Sequence, residues 1–388
     1  MMPDALALCD ILGDLVVYRD LNPVDQRLPR REALLAEAGL PEDGIPRKRE
    51  PEYSLAIRPL LDAARSLEGG GGKVRRVLFL GDTRMNDTLA ARNLEEVAGL
   101  PTLGFICDER SDQQPRSRVE NGVFFSNRWA DLARFAALAG ERGFAVDADT
   151  AIIVDIDKTA LGARGRNHGA IDLARTEALR QVARGALGEA LDEAEFDSAY
   201  DELNQQSYHP FTDDNQDYLA YISVMVGGGV YSLDGLLADL AAGRIETFFD
   251  FLAGCDGRLE GGEGDGLWRI HREVKAGLEA SDPTPFKSFR VKELEATVAR
   301  MNCLPDGSPL EKLLREEIVL TREVVDAVRL FSEEGAVLLA ISDKPPEACI
   351  PSLEEAARGS LPLHRVEAKV VGNDISAQLD GLRNSGHP

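Results

Sequence analysis

Two aspartates one residue apart close the apolar run AIIVDID (151–157), and Lys158 and Thr159 follow them. Side chains at i and i+2 of an extended segment leave from the same face, so Asp155 and Asp157 crowd two like charges together. A single Asp would already serve to cap the next turn. A bound cation is the usual remedy for clustered carboxylates. Two other apolar runs end in related chemistry. RVLFLGD (76–82) ends at Gly81-Asp82, with Asp87 in the turn before the next helix, and AVLLAIS (336–342) ends at Ser342, followed by Asp343 and Lys344. Four acids, a hydroxyl and a lysine at one place can hold a divalent cation, supply a carboxylate nucleophile and neutralise a phosphoryl group.

The elements that must position these residues are legible as periodicity. Apolar strands at 76–82, 101–109, 121–127 and 151–155 alternate with helical spacing at 31–40, 52–67, 87–100 and 128–143. That alternation predicts a parallel sheet covered on both faces. From about 165 to 320 helical patterns dominate, at 171–187, 192–206, 232–254, 266–281 and 288–301. Strand-and-helix alternation resumes at 321–335, 336–347 and 364–374. The expectation is an α/β fold with a Rossmann-like parallel sheet, from residues 1–164 and 321–388, interrupted by a helical insertion at 165–320. Val366–Val371 is expected in the same sheet, with both termini on one side of it. Ligands of an open parallel sheet bind at the carboxyl ends of its strands, where the three polar exits lie.

Composition narrows the function. The chain has 388 residues and a formal charge of −23, which disfavours nucleic acid and anionic membranes as partners. Five scattered cysteines without a CxxC pair suit reduced thiols in the cytoplasm. The first twenty residues carry no basic segment before an apolar one, unlike a signal peptide, and no apolar run approaches the ~20 residues of a membrane span. The five histidines lack zinc-ligand spacing. DDNQD (213–217) lacks the glycine and terminal Glu of a calcium loop, and EGGGGK (68–73) lacks the Ser or Thr of a phosphate cradle.

In their contexts, DIDKT (155–159), Ser342 at the end of VLLAIS and GDTRMND (81–87) resemble the first, second and fourth motifs of the haloacid dehalogenase-like (HAD) superfamily. The fourth motif precedes the first, so the resemblance implies a circularly permuted core with a helical cap. It implies Mg²⁺ as cofactor, Asp155 as nucleophile and Asp157 as general acid and then base. The metal would be held by Asp82, Asp155 and the backbone carbonyl of Asp157, with Asp87 ligating or orienting. Ser342, Thr159 and the third-motif lysine would hold the phosphoryl group. Lys48 in PRKREPEY occupies that lysine's place, and Lys344 is its competitor. Lys158 stands where the most familiar phosphatases of the family have glycine. The expected reaction is phosphatase action on a small phosphorylated metabolite. Phosphotransfer to an acceptor, and a non-enzymatic protein retaining the fold, are the alternatives. After the first motif, Arg164, Arg166, Asn167 and His168 are candidates for contacting an anionic substrate, since arginine suits oxyanion recognition. The aromatic stretch at 207–232 either lines a pocket or packs helices, and packing is the simpler account.

Overall fold

The computed structural model describes residues 5–42, 44–69, 72–259 and 265–384. Residues 43, 70–71 and 260–264 and both chain ends lie outside the described residues, so the expected placement of the termini does too. The chain forms two compact units, one from residues 1–172 and 297–388, the other from 173–296. The expected insertion was wider at both ends. Residues 165–172 and 297–320 fall in the first unit, and Asn167 ties the first of these segments to the end of the second. Its side-chain amide donates to the carbonyls of Leu314 (2.7 Å) and Glu317 (2.8 Å), and its oxygen accepts from the Val319 amide (3.0 Å).

The strands of the first unit are β1 (Ala5–Leu6), β2 (Val16–Val17), β3 (Arg76–Gly81), β4 (Thr102–Cys107), β5 (Ser117–Glu120), β6 (Val123–Ser126), β7 (Thr150–Asp155), β8 (Leu320–Thr321), β9 (Val337–Ile341) and β10 (Ala368–Val371). Seven form one sheet in the order β2-β9-β7-β3-β4-β6-β5, parallel except where β5 pairs antiparallel with β6. Alternate residues face opposite sides. Phe79, Ile153 and Leu339 join Ile57, Leu60, Leu61, Ala91 and Leu94 of the helices Pro51–Leu67 and Asn86–Glu96 in one buried cluster. On the other face Phe105 packs against Phe124, Trp129 and Phe135, and the helices Leu132–Glu141 and Arg322–Glu333 cover the sheet. Both faces are covered, and the strands read accordingly as continuous apolar runs.

Ala368–Val371 does not join this sheet. It pairs with β1 and β8 in a separate three-stranded sheet, parallel to Leu320–Thr321 and antiparallel to Ala5–Leu6. The place at the edge of the main sheet is taken by Val16–Val17, which pairs with Ala340 and Ile341.

The second unit is helical. Its helix Gln216–Gly227 is buried from Asp217 onward, as a helix apolar on most sides is. Tyr218 stacks on Phe248 at 3.8 Å between ring centroids, and Tyr221 donates to or accepts from His271 Nδ1 at 2.6 Å. Phe211, Tyr218, Tyr221 and Tyr231 are all buried, so the aromatic stretch packs helices. The single helix expected at 232–254 is two, Leu233–Ala241 and Phe248–Arg258, divided at Gly243 and restarted by a Thr247–Asp250 capping box. Among the described residues no helix is long and apolar enough to cross a membrane.

Candidate functional site

The three polar exits belong to adjacent strands, β9, β7 and β3, and all point the same way. Register levels them. Val154 pairs with Leu80, and Asp155 pairs with Ile341, so Asp155, Gly81-Asp82 and Ser342 emerge along one edge.

Gly81 explains why Asp87 reaches this edge. A Cβ on Gly81 would lie 2.6 Å from Asp87 Cγ, so a side chain there would displace Asp87. The Asp87 Oδ2 accepts from the amides of Asp82 (3.0 Å) and Thr83 (2.7 Å) and from the Thr83 hydroxyl (2.8 Å). Its other oxygen meets Lys48 Nζ. Lys48 lies in the turn before the helix Pro51–Leu67. Its ammonium, buried, also donates to Asp155 Oδ1 at 2.5 Å.

One carboxylate oxygen each from Asp82, Asp87 and Asp155 lie within 4.8 Å of one another, and all three residues are buried. Burial, then repulsion from Asp87 and Asp155, raises the Asp82 pKa well above the usual carboxylate range, against the pull of Arg164. Burial likewise pushes Asp155 up to about 7, although Lys48 opposes it. Asp87 goes the other way: burial is outweighed by Lys48 and by the Thr83 hydrogen bonds, so it stays an anion. Lys48 stays charged for the reciprocal reason, since its two carboxylates outweigh the cost of burial. The Oδ2 of Asp155 and the Thr159 hydroxyl are buried without a hydrogen bond of ordinary geometry, although the hydroxyl is near enough to favour the ionised carboxylate. Three hard oxygen donors, one of them under-satisfied, suit a small divalent cation.

The other candidates separate. Asp157 stands apart from the three carboxylates, a quarter exposed, with Lys344 Nζ 3.3 Å from its Oδ1. Lys344 therefore partners Asp157, and Lys48 partners Asp155. Ser342 is buried, and its hydroxyl oxygen accepts from the Lys344 amide at 3.1 Å. Lys158 has φ of 64°, in the left-handed region where glycine is at ease, and its ammonium pairs with Asp172 at 2.8 Å. A lysine adopts this backbone shape at some conformational cost.

Three substrate candidates are engaged elsewhere. Arg166 is clamped by Glu109 (2.8 Å) and, bidentately, by buried Glu323 (2.8 and 2.9 Å). Asn167 spends its amide on the three backbone groups described above. Arg164 turns its guanidinium onto Asp82 while its side chain stays partly exposed. His168 Nδ1 accepts from the Gly165 amide at 3.0 Å, so its ring proton sits on Nε2. Sequence reasoning missed Thr83, which fixes Asp87, and the partnership of Arg164 with Asp82. The first had a signal, a hydroxyl four residues before an acid at a helix start.

No protein-family model matches the chain, and no curated protein or solved structure matches it significantly.

Proposed function

We propose that the chain is a phosphoryl-transfer enzyme, a Mg²⁺-dependent phosphatase of small phosphorylated metabolites built on a circularly permuted HAD-like plan. The observation that carries this reading is the buried cluster of Asp155, Asp82 and Asp87 around Lys48, at the carboxyl edge of three adjacent strands. A turn-capping aspartate needs neither burial nor a lysine from a hundred residues away. The strand order supports the permutation, since the motif-bearing strands are neighbours whatever their order in the chain.

Asp82 and Asp155 would hold the cation, with Asp87 Oδ1 beside it. When bound, Mg²⁺ supplies positive charge that polarises a phosphoryl oxygen. The residues do the rest. A carboxylate oxygen of Asp155 attacks phosphorus, forming an aspartyl-phosphate as the bond to the leaving oxygen breaks. Asp157 gives its proton to that leaving oxygen. It then takes one from the water that cleaves the aspartyl-phosphate, and phosphate leaves with Asp155 restored. Lys48 and Ser342 stabilise the phosphoryl oxygens. Lys48 also lowers the cost of bringing a phosphate dianion to an acid cluster.

A screen of phosphorylated metabolites for phosphate release, with Mg²⁺ or with EDTA, tests the proposal. Release that ignores EDTA, or none from any substrate, overturns it. Asp157→Asn should lower the rate by roughly 10²- to 10⁴-fold, the usual range for a lost acid–base group. The Asn variant keeping the wild-type rate would remove that role. Mg²⁺ should also raise the melting temperature by binding the native state, and do much less for Asp82→Ala. Equal shifts in the two proteins would place the cation elsewhere.

A further inference from the structure

Arg164 sits on the carboxylate that the proposed cation needs. Its Nε donates to Asp82 Oδ2, and Asp82 is buried. The contact is built into the loop between β7 and the helix His168–Leu187. The Arg164 amide donates to the Lys158 carbonyl at 2.7 Å. Its own carbonyl accepts from the Glu109 amide and from the Trp129 indole, both at 3.2 Å. The next residue, Gly165, has φ of 81°, and a Cβ there would lie 1.9 Å from the Glu109 carbonyl oxygen. The backbone at 164–165 is thus held on three sides, and it aims one long cation at Asp82.

We infer that Arg164 is a resident counter-charge for Asp82 that competes with the divalent cation and is displaced when the cation binds. The inference rests on the phosphatase reading above, because it assigns a regulatory residue to the same site. Without a cation the three acids have two positive partners, Lys48 and Arg164. Lys48 is sealed in, with a side chain 3% exposed, whereas Arg164 is 30% exposed and has room to leave. A guanidinium and a divalent cation on one carboxylate repel each other. One must yield, and the arginine is the one with a path to water. Asp108 and Asp157 also favour the charge of Arg164 electrostatically, so its surroundings stay anionic apart from Asp82. The metal-free site stays folded, and metal affinity falls by the cost of moving the arginine. No bond is made or broken.

Calorimetric titration of Mg²⁺ into the full chain tests this, with melting temperatures in EDTA and in saturating Mg²⁺. Arg164→Gln should bind Mg²⁺ more tightly than wild type, within the roughly 5- to 150-fold span of ordinary site-to-site coupling. It should melt lower than wild type in EDTA, and the gap should close in Mg²⁺. Arg164→Lys, with a shorter reach and a retained charge, should lie between and guards against a Gln variant that does not fold without Mg²⁺. Unchanged or weaker Mg²⁺ binding by a folded variant overturns the inference, since a residue that merely orients Asp82 cannot improve affinity when removed. If Asp82→Asn abolishes binding while both Arg164 variants match wild type, only this inference fails. If wild type and every variant ignore Mg²⁺, the metal reading fails with it.

Discussion

Asp155→Asn should abolish phosphate release, by at least about 10⁴-fold, and should raise the melting temperature of the metal-free protein at pH 8. The first effect follows if Asp155 is the nucleophile, because an amide cannot form the acyl phosphate; loss of a nucleophile is among the most costly single changes in an enzyme. The second follows from burial. Asp155 is held among two other acids, and burial pushes its pKa from 3.8 up to about 7. Between those two values the native state binds a proton that the unfolded chain releases. The stability linked to that proton is therefore complete below about pH 3.8 and is lost as pH rises through about 7. Asparagine resembles the protonated carboxyl and carries no such loss. In EDTA the wild-type melting temperature should fall more steeply between pH 5.5 and 8 than that of the variant. Saturating Mg²⁺ should narrow the difference, since a cation favours the ionised carboxylate. Thermal denaturation across that range, beside a phosphate-release assay, reads both effects. Wild-type turnover by the Asn variant removes the nucleophile; parallel pH profiles mean that Asp155 is not under the charge stress described.

The central strands were readable because each is long, apolar and closed by an unusual polar residue. RVLFLGD, AIIVDID and AVLLAIS could be placed at a common edge before any pairing was known, since parallel neighbours share their carboxyl ends. The small sheet and the edge strand of the main sheet were not readable. Ala5–Leu6, Val16–Val17 and Leu320–Thr321 are two residues each, too short for a period to show. The strand 368–371 looks the same whichever sheet it enters, because its partners Leu320–Thr321 and Ala5–Leu6 are both distant in sequence.

The cluster was legible in Asp82, Asp87, Asp155 and Lys48, and misread in its arginines. GDTRMND reveals Asp87 because the Asp lies a fixed step beyond a glycine that must leave room for it. Arg166 and Asn167 read as substrate contacts because they directly follow the first motif and arginine suits oxyanions. Their burial is set by Glu109, Glu323 and the backbone at 314–319, none of which is local. Lys48 had the weakest signal, one lysine in a charge run, and it has the most central position. Its competitor Lys344 is near in sequence to Ser342 but pairs with Asp157.

Lys48→Met therefore should cost both stability and activity. Methionine matches the length of lysine but not its charge, so the packing against Phe79, whose ring centroid lies 5.6 Å from Nζ, is largely kept. What is lost is the single cation between Asp87 and Asp155. Removing one partner of a buried ion pair typically costs about 3–5 kcal/mol, because the charge left behind has neither water nor a partner. In a chain of this size that is a fall of roughly 4–6 °C in metal-free melting temperature. Mg²⁺ should recover part of the melting temperature, as it answers the same carboxylates, but not the rate, because the phosphoryl oxygens still lack their ammonium. The double variant Lys48→Met, Asp155→Asn separates charge from packing. Asparagine removes one of the two anions that Lys48 answers, so the double variant should melt above Lys48→Met alone, leaving only the Asp87 share of the loss. Denaturation of the two single variants and the double variant, with and without Mg²⁺, closes that cycle. Strict additivity would mean that Lys48 and Asp155 do not interact, and the charge arrangement on which the phosphatase reading depends would have to be given up.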